Sequence, residues 1–346
     1  MYTIIMAGGS GTRLYPISVK EKPKQFINLS ALSKTLFEQA VDRALKICPK
    51  ENIYVLTTKE YEKFCGGYNC IFEEKPMGTL FAIYNACKTI RKELSSSDKV
   101  FVMTSDHLIE GLEIDENVCN ENLVAFGIKP TSPSSEYGYI NPKTNHFKEK
   151  PNTETAKEYI EKGYLWNSGM FLFDIDTFIS ETEKYNSAED IETKKLSVDY
   201  GVMEKTDKIA ICPLDVSWSD LGSFEAIFRL YDKPTEERPW GSFTVLIDTD
   251  ERKAKKIVVY PNKRLSYQSH EKRSELWVVN QGVATVTLDD IDYVLKKGEE
   301  IVIPQGSKHR MANNGDENLV IIEIQTGSYF GEDDIIRYED DFGRIV

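Results

Sequence analysis

The stretch Tyr2–Thr3–Ile4–Ile5–Met6–Ala7–Gly8–Gly9–Ser10–Gly11–Thr12–Arg13 decides how the first half of the chain is read. Tyr2–Ala7 is a short, mostly apolar run rich in β-branched residues and closed by glycine, which predicts a buried strand. The glycines that follow let backbone approach a phosphate, and successive N–H groups in such a loop can cradle its oxygens. It is not a Walker loop, because no Gly-Lys-Ser/Thr follows, and it lacks the third glycine of a dinucleotide fingerprint. Taken alone, a glycine turn after a strand is more often an ordinary tight turn. Working outward, Thr35–Cys48 has helical periodicity, Asn52–Thr57 reads as a strand and Leu80–Leu94 as a helix. Lys99–Thr104 and Leu123–Ile128 read as further strands. That alternation predicts an α/β domain with a mainly parallel sheet covered by helices.

The pattern changes near residue 235. Phe243–Ile247, Lys256–Val259, Leu265–Ser269, Leu276–Val279, Ala284–Leu288, Ile301–Ile303 and Leu319–Gln325 are short β-like runs punctuated by Gly, Pro and Asn. Helical patterns are nearly absent until the tail. This predicts an all-β sandwich or small barrel. The junction Asp232–Lys233–Pro234–Thr235–Glu236–Glu237 is short and polar, so the expected domains are 1–234 and 235–346. There are no internal repeats.

Composition limits what these domains do. The chain has 346 residues, 40% of them hydrophobic, enough to bury a sizeable core. A net charge of −13 argues against nucleic acid as a partner and confines anion binding to local pockets. No apolar run approaches membrane-spanning length, and the first residues lack the basic start and apolar stretch of a secretory signal. Six cysteines in a chain this long are no disulfide framework, and the expected compartment is the cytoplasm. Oligomeric state stays open, a homo-oligomer included.

The glycine loop continues into Leu14–Tyr15–Pro16, and Pro23–Lys24 follows. This order resembles the nucleotide-sugar pyrophosphorylases, whose signature is Gly-Gly-x-Gly-Thr-Arg-Leu-x-Pro followed by Pro-Lys. The resemblance implies a Rossmann-like nucleotidyltransferase domain with a mainly parallel mixed sheet. It also implies attack of a sugar phosphate on the α-phosphorus of an NTP, with pyrophosphate leaving. Arg13 and Lys24 would hold phosphate oxygens, and Gly8, Gly9, Ser10, Gly11 and Thr12 would approach the nucleotide. Asp106, in Thr104–Ser105–Asp106–His107, and Asp220, in Trp218–Ser219–Asp220–Leu221–Gly222–Ser223, lie in segments resembling two further family motifs. Magnesium takes hard oxygen ligands, often carboxylates plus substrate phosphates, so both are expected to hold Mg²⁺. His107 is expected only to orient the loop.

Tyr137–Gly138–Tyr139–Ile140, Phe147–Lys148–Glu149–Lys150–Pro151 and Trp166–Asn167–Ser168–Gly169–Met170–Phe171 occur in the family's order. They resemble mannose-1-phosphate guanylyltransferases in particular. By that resemblance Gly138, Glu149, Lys150 and Asn167 would hold the sugar phosphate, mannose 1-phosphate, and the NTP would be GTP. The segment Pro76–Met77–Gly78–Thr79–Leu80–Phe81–Ala82–Ile83 departs from the usual Gly-Arg-Asn-Thr-Ala-Pro-Ala-Ile. Gly78 and Thr79 are then nucleotide-binding positions in a segment that leaves base selectivity open.

Gln268 and His270 lie at i and i+2, which face one way on a strand. With Glu275, Gly282, Gly298, Pro304, Gly306, His309 and Asn313 their spacing resembles the two motifs of cupin barrels, with Gln in place of the first His. That implies a jelly-roll holding a metal through Gln268, His270, Glu275 and His309. Mixed N/O ligation suits zinc, manganese, iron, cobalt or nickel. Arg238–Pro239–Trp240–Gly241–Ser242, Arg273–Ser274–Glu275–Leu276–Trp277 and the segment from Ile322 to Arg337 resemble type II phosphomannose isomerases. Together the motifs identify a compact relative of the bifunctional mannose-1-phosphate guanylyltransferase/mannose-6-phosphate isomerase family. Arg273 and Arg310 would steady anionic oxygen or grip phosphate during interconversion of mannose 6-phosphate and fructose 6-phosphate. Leu276 replaces a usual His, which sets isomerase activity in doubt. The rival reading is a nucleotidyltransferase for another NTP or sugar 1-phosphate with a non-catalytic cupin module.

Overall fold

The computed structural model describes residues 1–9, 11–75, 77–95, 98–114 and 121–344. Its contacts divide the chain into two compact units, residues 1–10 with 36–221 and residues 11–35 with 222–346. Sequence order set the expected domain boundary at 234/235. The contacts instead group the segment after the first glycines with the C-terminal half.

The first unit is built on one sheet. Its main path runs Ile209–Leu214, Leu123–Ile128, Leu165–Asp174, Lys99–Thr104, Tyr2–Met6, Ile53–Thr57 and Asn69–Phe72. All neighbouring pairs are parallel except those made by Leu165–Asp174, which runs antiparallel to both its neighbours. The expected mainly parallel α/β sheet is therefore present. Helix Leu36–Ile47 buries Leu36, Phe37, Ala40, Val41 and Ala44, the stripe that helical spacing demands. Helix Thr79–Ile90 buries Leu80, Ile83, Ala86, Cys87 and Ile90 in a core with Ile4, Val100, Val102, Leu123 and Phe173. Met6 pairs with Thr104, so the carboxyl ends of Tyr2–Met6 and Lys99–Thr104 emerge side by side. Ser105 ties them, its N–H and hydroxyl donating to the Met6 carbonyl at 3.0 and 2.8 Å. Gly8 and Asp106 thus leave the sheet at its carboxyl edge, where open α/β sheets place ligands.

The second unit holds two antiparallel sheets. One runs Glu236–Arg238, Gly241–Asp248, Arg252–Val259, Leu319–Gly327, Arg273–Gln281 and Glu300–Ile303. The other runs Ile291–Lys296, Val283–Leu288, His309–Asn313, Tyr267–His270 and Ile335–Glu339, with Lys263–Arg264 beside His309–Asn313. Phe243, Ile257, Trp277, Ile303 and Ile321 from the first sheet, with Trp240 from the turn before Gly241–Asp248, pack with Ala284, Val286 and Met311 from the second. This is the expected all-β jelly-roll. The tail forms the strand Ile335–Glu339, not a helix. Among the described residues, no helix is long and apolar enough to cross a membrane.

Candidate active sites of the two units

In the first unit, two carboxylates far apart in sequence reach one end of a short ladder. Ser217–Ser219 pairs antiparallel with Leu108–Glu110, and Ser219 lies opposite Leu108. Asp220 follows the one strand and Asp106–His107 precedes the other. Aromatic residues brace both acids. His107 Nε2 lies 3.6 Å from Asp106 Oδ1, and the Trp218 indole N–H donates to His107 Nδ1 at 3.3 Å. The Tyr137 hydroxyl donates to Asp220 Oδ1 at 3.0 Å, and its ring meets Trp218 and Trp166 edge-on at 5.0 and 4.8 Å. Leu221, with φ 44°, gives the chain its sharp exit after Asp220.

Gly138, Glu149 and Asn167 also come together. A Cβ on Gly138 would lie 2.5 Å from Glu149 Oε2 and 3.4 Å from Asn167 Cβ, so a side chain there would displace the Glu149 carboxylate. Lys150 Nζ sits 3.5 Å from Glu149 Oε1. The Asn167 amide is already oriented: its Oδ1 accepts from Gly169 N–H at 3.1 Å, and its Nδ2 donates to Asp199 Oδ1 at 2.9 Å. The place of Asp199 behind Asn167 has no signal in the sequence. Burial, with the Glu149 charge adding to it, pushes the Asp199 carboxyl up to about 7. Desolvation also raises Glu149, against the pull of Lys150.

A pH dependence follows. The folded state keeps a proton on Asp199 that the unfolded chain releases near the ordinary aspartate value. Between that value and about 7 the native state binds more protons, so stability falls as pH rises through this window. The check is a series of thermal melts of the wild type and Asp199→Asn from about pH 4.5 to about pH 8, which spans most of the window and its upper end. The substitution is expected to flatten the slope, and an unchanged slope would refute the assignment.

Gly78 and Thr79 have packing partners of their own. A Cβ on Gly78 would lie 2.4 Å from the Leu196 carbonyl oxygen, and Thr79 Oγ1 accepts from Val198 N–H at 2.9 Å. Gly8 lies under Glu73, whose Oε1 would be 2.6 Å from an added Cβ. Glu73 is a residue that the sequence reading missed, and burial raises its carboxyl. Ser10 lies outside the described residues. Gly11, Thr12, Arg13 and Lys24 belong to the second unit, where Arg13 is exposed on the turn Thr12–Leu14 and Lys24 is buried at the start of the turn Lys24–Phe26.

Within the barrel, the two sheets meet at a buried cluster. His270 and His309 come from the second sheet and Glu275 from the first. His270 Nε2 is 3.2 Å from Glu275 Oε1, and His309 Nε2 is 3.8 Å from Glu275 Oε2. The ligating atoms of the three lie within 4.8 Å of one another. Each histidine Nδ1 faces a backbone carbonyl, Asp334 at 3.4 Å and Ser307 at 3.0 Å. That fixes the rings with Nε2 toward the cluster, as metal-ligating histidines are fixed. His309 Nε2 is buried with no hydrogen-bond partner among the described residues, and a cation would satisfy it. Gln268 pairs in register with His309, and its Nε2 is 3.5 Å from His270 Nε2. Three of the predicted donors, His270, Glu275 and His309, therefore converge and suit a divalent transition metal, while the Gln268 oxygen accepts from the Ser266 hydroxyl at 2.7 Å.

Arg273 is brought to this cavity. It is 2% exposed, and it donates to Glu275 Oε1 at 3.1 Å, His270 Nε2 at 3.3 Å and the Gly331 carbonyl at 2.9 Å. Arg310 is not. It follows His309 on a strand, so alternation turns it to the other face, where it pairs with Glu339 at 3.0 Å. Leu276 likewise alternates with Glu275 and Trp277 and lies opposite Val302 and Ile324. The replaced histidine position therefore points away from the metal donors. Lys255, Glu323, Gln325, Glu332 and Arg337 also line the cavity. Burial and the Glu275 charge hold the Glu323 carboxyl up at about 8.

Residues 2–237 match the family described as Nucleotidyl transferase. The chain belongs to that family. Residues 231–340 of this nucleotidyl transferase match a second family, Mannose-6-phosphate isomerase C-terminal. The Alginate biosynthesis protein AlgA of Pseudomonas aeruginosa is 28% identical, with all of this chain and 98% of that protein covered. The alignment spans 472 positions against the 346 residues here, so that relative carries segments this compact transferase lacks. A Mannose-1-phosphate guanylyltransferase of Escherichia coli is also 28% identical, with coverage of 100% and 99%. The solved mannose-1-phosphate geranyltransferase of Thermus thermophilus superposes with a TM-score of 0.58 at 28% identity, covering 68% of this chain and 81% of that one. The mannose-6-phosphate isomerase of Helicobacter pylori shares the fold, with a TM-score of 0.51 at 22% identity over 63% of this chain and 98% of that one. The resemblance read from the motifs is borne out along the whole transferase.

Proposed function

We propose that this nucleotidyl transferase joins GTP and mannose 1-phosphate into GDP-mannose, releasing pyrophosphate. What carries the reading is the delivery of Asp106 and Asp220 to one ladder end, in a chain that mannose-1-phosphate guanylyltransferases match throughout. An oxygen of the sugar phosphate attacks the α-phosphorus. The new P–O bond forms as the bond to the bridging oxygen breaks, and pyrophosphate carries away the electron pair. Such transfer needs positioning and charge neutralisation more than covalent help. Asp106 and Asp220 are suited to hold magnesium, which when bound supplies positive charge against the phosphates. Gly8, Gly9, Gly11 and Thr12 bring backbone to the nucleotide, with Ser10 assigned there from sequence alone. Arg13 and Lys24 draw phosphate oxygens, and Gly78 and Thr79 shape the wall beside the base. Glu149 accepts from sugar hydroxyls, Asn167 holds the sugar against Gly138, and Lys150 meets the sugar phosphate as a compact charge.

The barrel is assigned isomerisation of mannose 6-phosphate and fructose 6-phosphate. Gln268, His270, Glu275 and His309 would hold the metal, which when bound polarises the carbonyl end of the sugar, and Arg273 steadies anionic oxygen. The outward position of Leu276 favours this over a non-catalytic module, because the cavity keeps its donors. The domains proposed for the two activities are 1–234 and 235–346.

The test is pyrophosphate release with mannose 1-phosphate and magnesium, run with each NTP in turn. GTP is expected to give a kcat/KM at least about tenfold above the others, the discrimination expected when a site's polar groups match one base edge. A signal with a different NTP would keep the chemistry and overturn the guanylyl assignment.

A further inference from the structure

We propose that Arg252, a residue of the barrel, is a positioning residue for nucleotidyl transfer. This rests on the reading of Arg13 and Lys24 as phosphate-holding residues. Both stand on the segment 11–35, which packs within the second unit. The Arg252 guanidinium Nη2 donates to the Ile17 carbonyl at 2.9 Å. Arg252 is itself fixed by the turn before it. Its N–H donates to Thr249 Oγ1 at 3.2 Å, and its carbonyl accepts from Thr249 N–H at 3.1 Å and the Thr249 hydroxyl at 3.0 Å.

The grip on Ile17 reaches both phosphate residues through a loop folded on itself. Ile17 and Ser18 are fully buried. Gly11, at φ 62°, lies so close that an added Cβ would come within 2.6 Å of Ser18 Oγ and 3.0 Å of Lys24 N. Gly11 begins the turn Thr12–Leu14 that carries Arg13, and Leu14 in turn accepts from Ser18 N–H at 3.0 Å. A shift of Ile17–Ser18 therefore moves Arg13 and Lys24 together.

The far end of the segment is held by a second device on the same hairpin. Strand Gly241–Asp248 slips register against Arg252–Val259 between Val245 and Ile247. Such a bulge frees backbone groups from the ladder. Here the Val245 carbonyl accepts from the Ser30 hydroxyl at 2.5 Å, and the Leu246 carbonyl accepts from Ser30 N–H at 2.9 Å and the Tyr231 hydroxyl at 3.1 Å. The bulge anchors Ser30, and Arg252 holds the part that bears the phosphate residues. A barrel that packed only against its own core would require neither.

The experiment compares full-length wild type, Arg252→Ala and Arg252→Lys. Arg252→Ala is expected to lower kcat/KM for NTP in pyrophosphate release by roughly 10²-fold, the loss that follows when a reacting group is misplaced by about 1 Å. The loss is expected mostly in KM for NTP. Arg252→Lys keeps one donor for the Ile17 carbonyl and is expected to recover most of it. Hydrogen exchange is the readout independent of activity. Amides of Leu14–Ile27 are expected to exchange faster in Arg252→Ala, with the strands Tyr267–His270 and Arg273–Gln281 unchanged. Unchanged exchange at Leu14–Ile27 would overturn the anchoring. Faster exchange with wild-type kcat/KM would overturn the positioning role. If exchange quickens but the wild type transfers no nucleotide at all, the anchoring stands and the transferase reading is what fails.

Discussion

Replacing Asp106 with alanine is expected to cut pyrophosphate release by about 10³-fold in kcat while leaving the protein folded. The size of the loss follows from the chemistry. Charge gathers on the transferred phosphate and on the leaving pyrophosphate, and a carboxylate pair that holds a divalent cation is the means of neutralising it. The folded state depends on Asp106 far less. Its side chain is 36% exposed, and its partner His107 is also held by the Trp218 indole. Asp220→Ala is expected to do the same, and here the bond from the Tyr137 hydroxyl to Oδ1 is also removed. The two losses should not add, because each variant already breaks the same unit. Asp106→Asn keeps size and removes charge, so it separates charge from packing. Rates at saturating GTP, mannose 1-phosphate and magnesium are the measurement. A kcat within about threefold of wild type for either alanine variant would remove the carboxylates from the reaction, since functional groups of this kind are worth orders of magnitude more.

Much of this architecture is legible in the chain, for physical reasons that differ by element. Tyr2–Met6, Lys99–Thr104 and Leu123–Ile128 are buried on both faces, so they read as unbroken apolar runs. Helix Leu36–Ile47 shows its period because one face is buried and the other is not. Leu165–Asp174 is less visible, since Asn167, Ser168 and Gly169 interrupt its apolar pattern. Ile209–Leu214 carries Pro213 at the sheet edge. Ile291–Lys296 is exposed except at Leu295, which packs against the barrel core, and a strand with one such contact has little alternation to read. The shared face of Gln268 and His270 was legible from spacing of two, and His309 from its motif. Arg310 shows the limit of motif reading, because strand alternation and not proximity in sequence decides what faces the cavity. Asp199 and Glu73 act through tertiary contacts with Asn167 and Gly8, which no local pattern encodes. The grouping of residues 11–35 with the barrel is equally silent, since backbone carbonyls at a bulge, Arg252 and the Lys22–Glu251 pair contribute to it through tertiary contacts.

His309→Ala is expected to abolish metal binding in the barrel and with it the isomerase activity, without unfolding the domain. His309 is the informative ligand to remove. Glu275 is buried and accepts from Arg273, from the Trp277 indole at 3.0 Å and from Gln325 at 3.1 Å, so deleting it takes the nearest carboxylate from a buried cation. Breaking a buried ion pair in that way costs about 3–5 kcal/mol, and loss of metal could then not be told from loss of fold. His309 Nε2 has no hydrogen-bond partner among the described residues, so its removal leaves no such charge behind, only the Ser307 carbonyl without the ring's N–H at 3.0 Å. Metal content per chain is expected to fall from about one to near zero, since three-donor sites lose most of their affinity when a first ligand goes. A second readout follows from linkage. At a metal concentration about 100 times the dissociation constant, binding stabilises the native state by about 2.7 kcal/mol. Adding zinc, manganese or cobalt should therefore raise the melting temperature of the wild type and leave that of His309→Ala unmoved. If the variant keeps stoichiometric metal and the same metal-dependent rise in melting temperature, the His270, Glu275 and His309 cluster is not a metal centre, and the buried histidine nitrogen has some other partner.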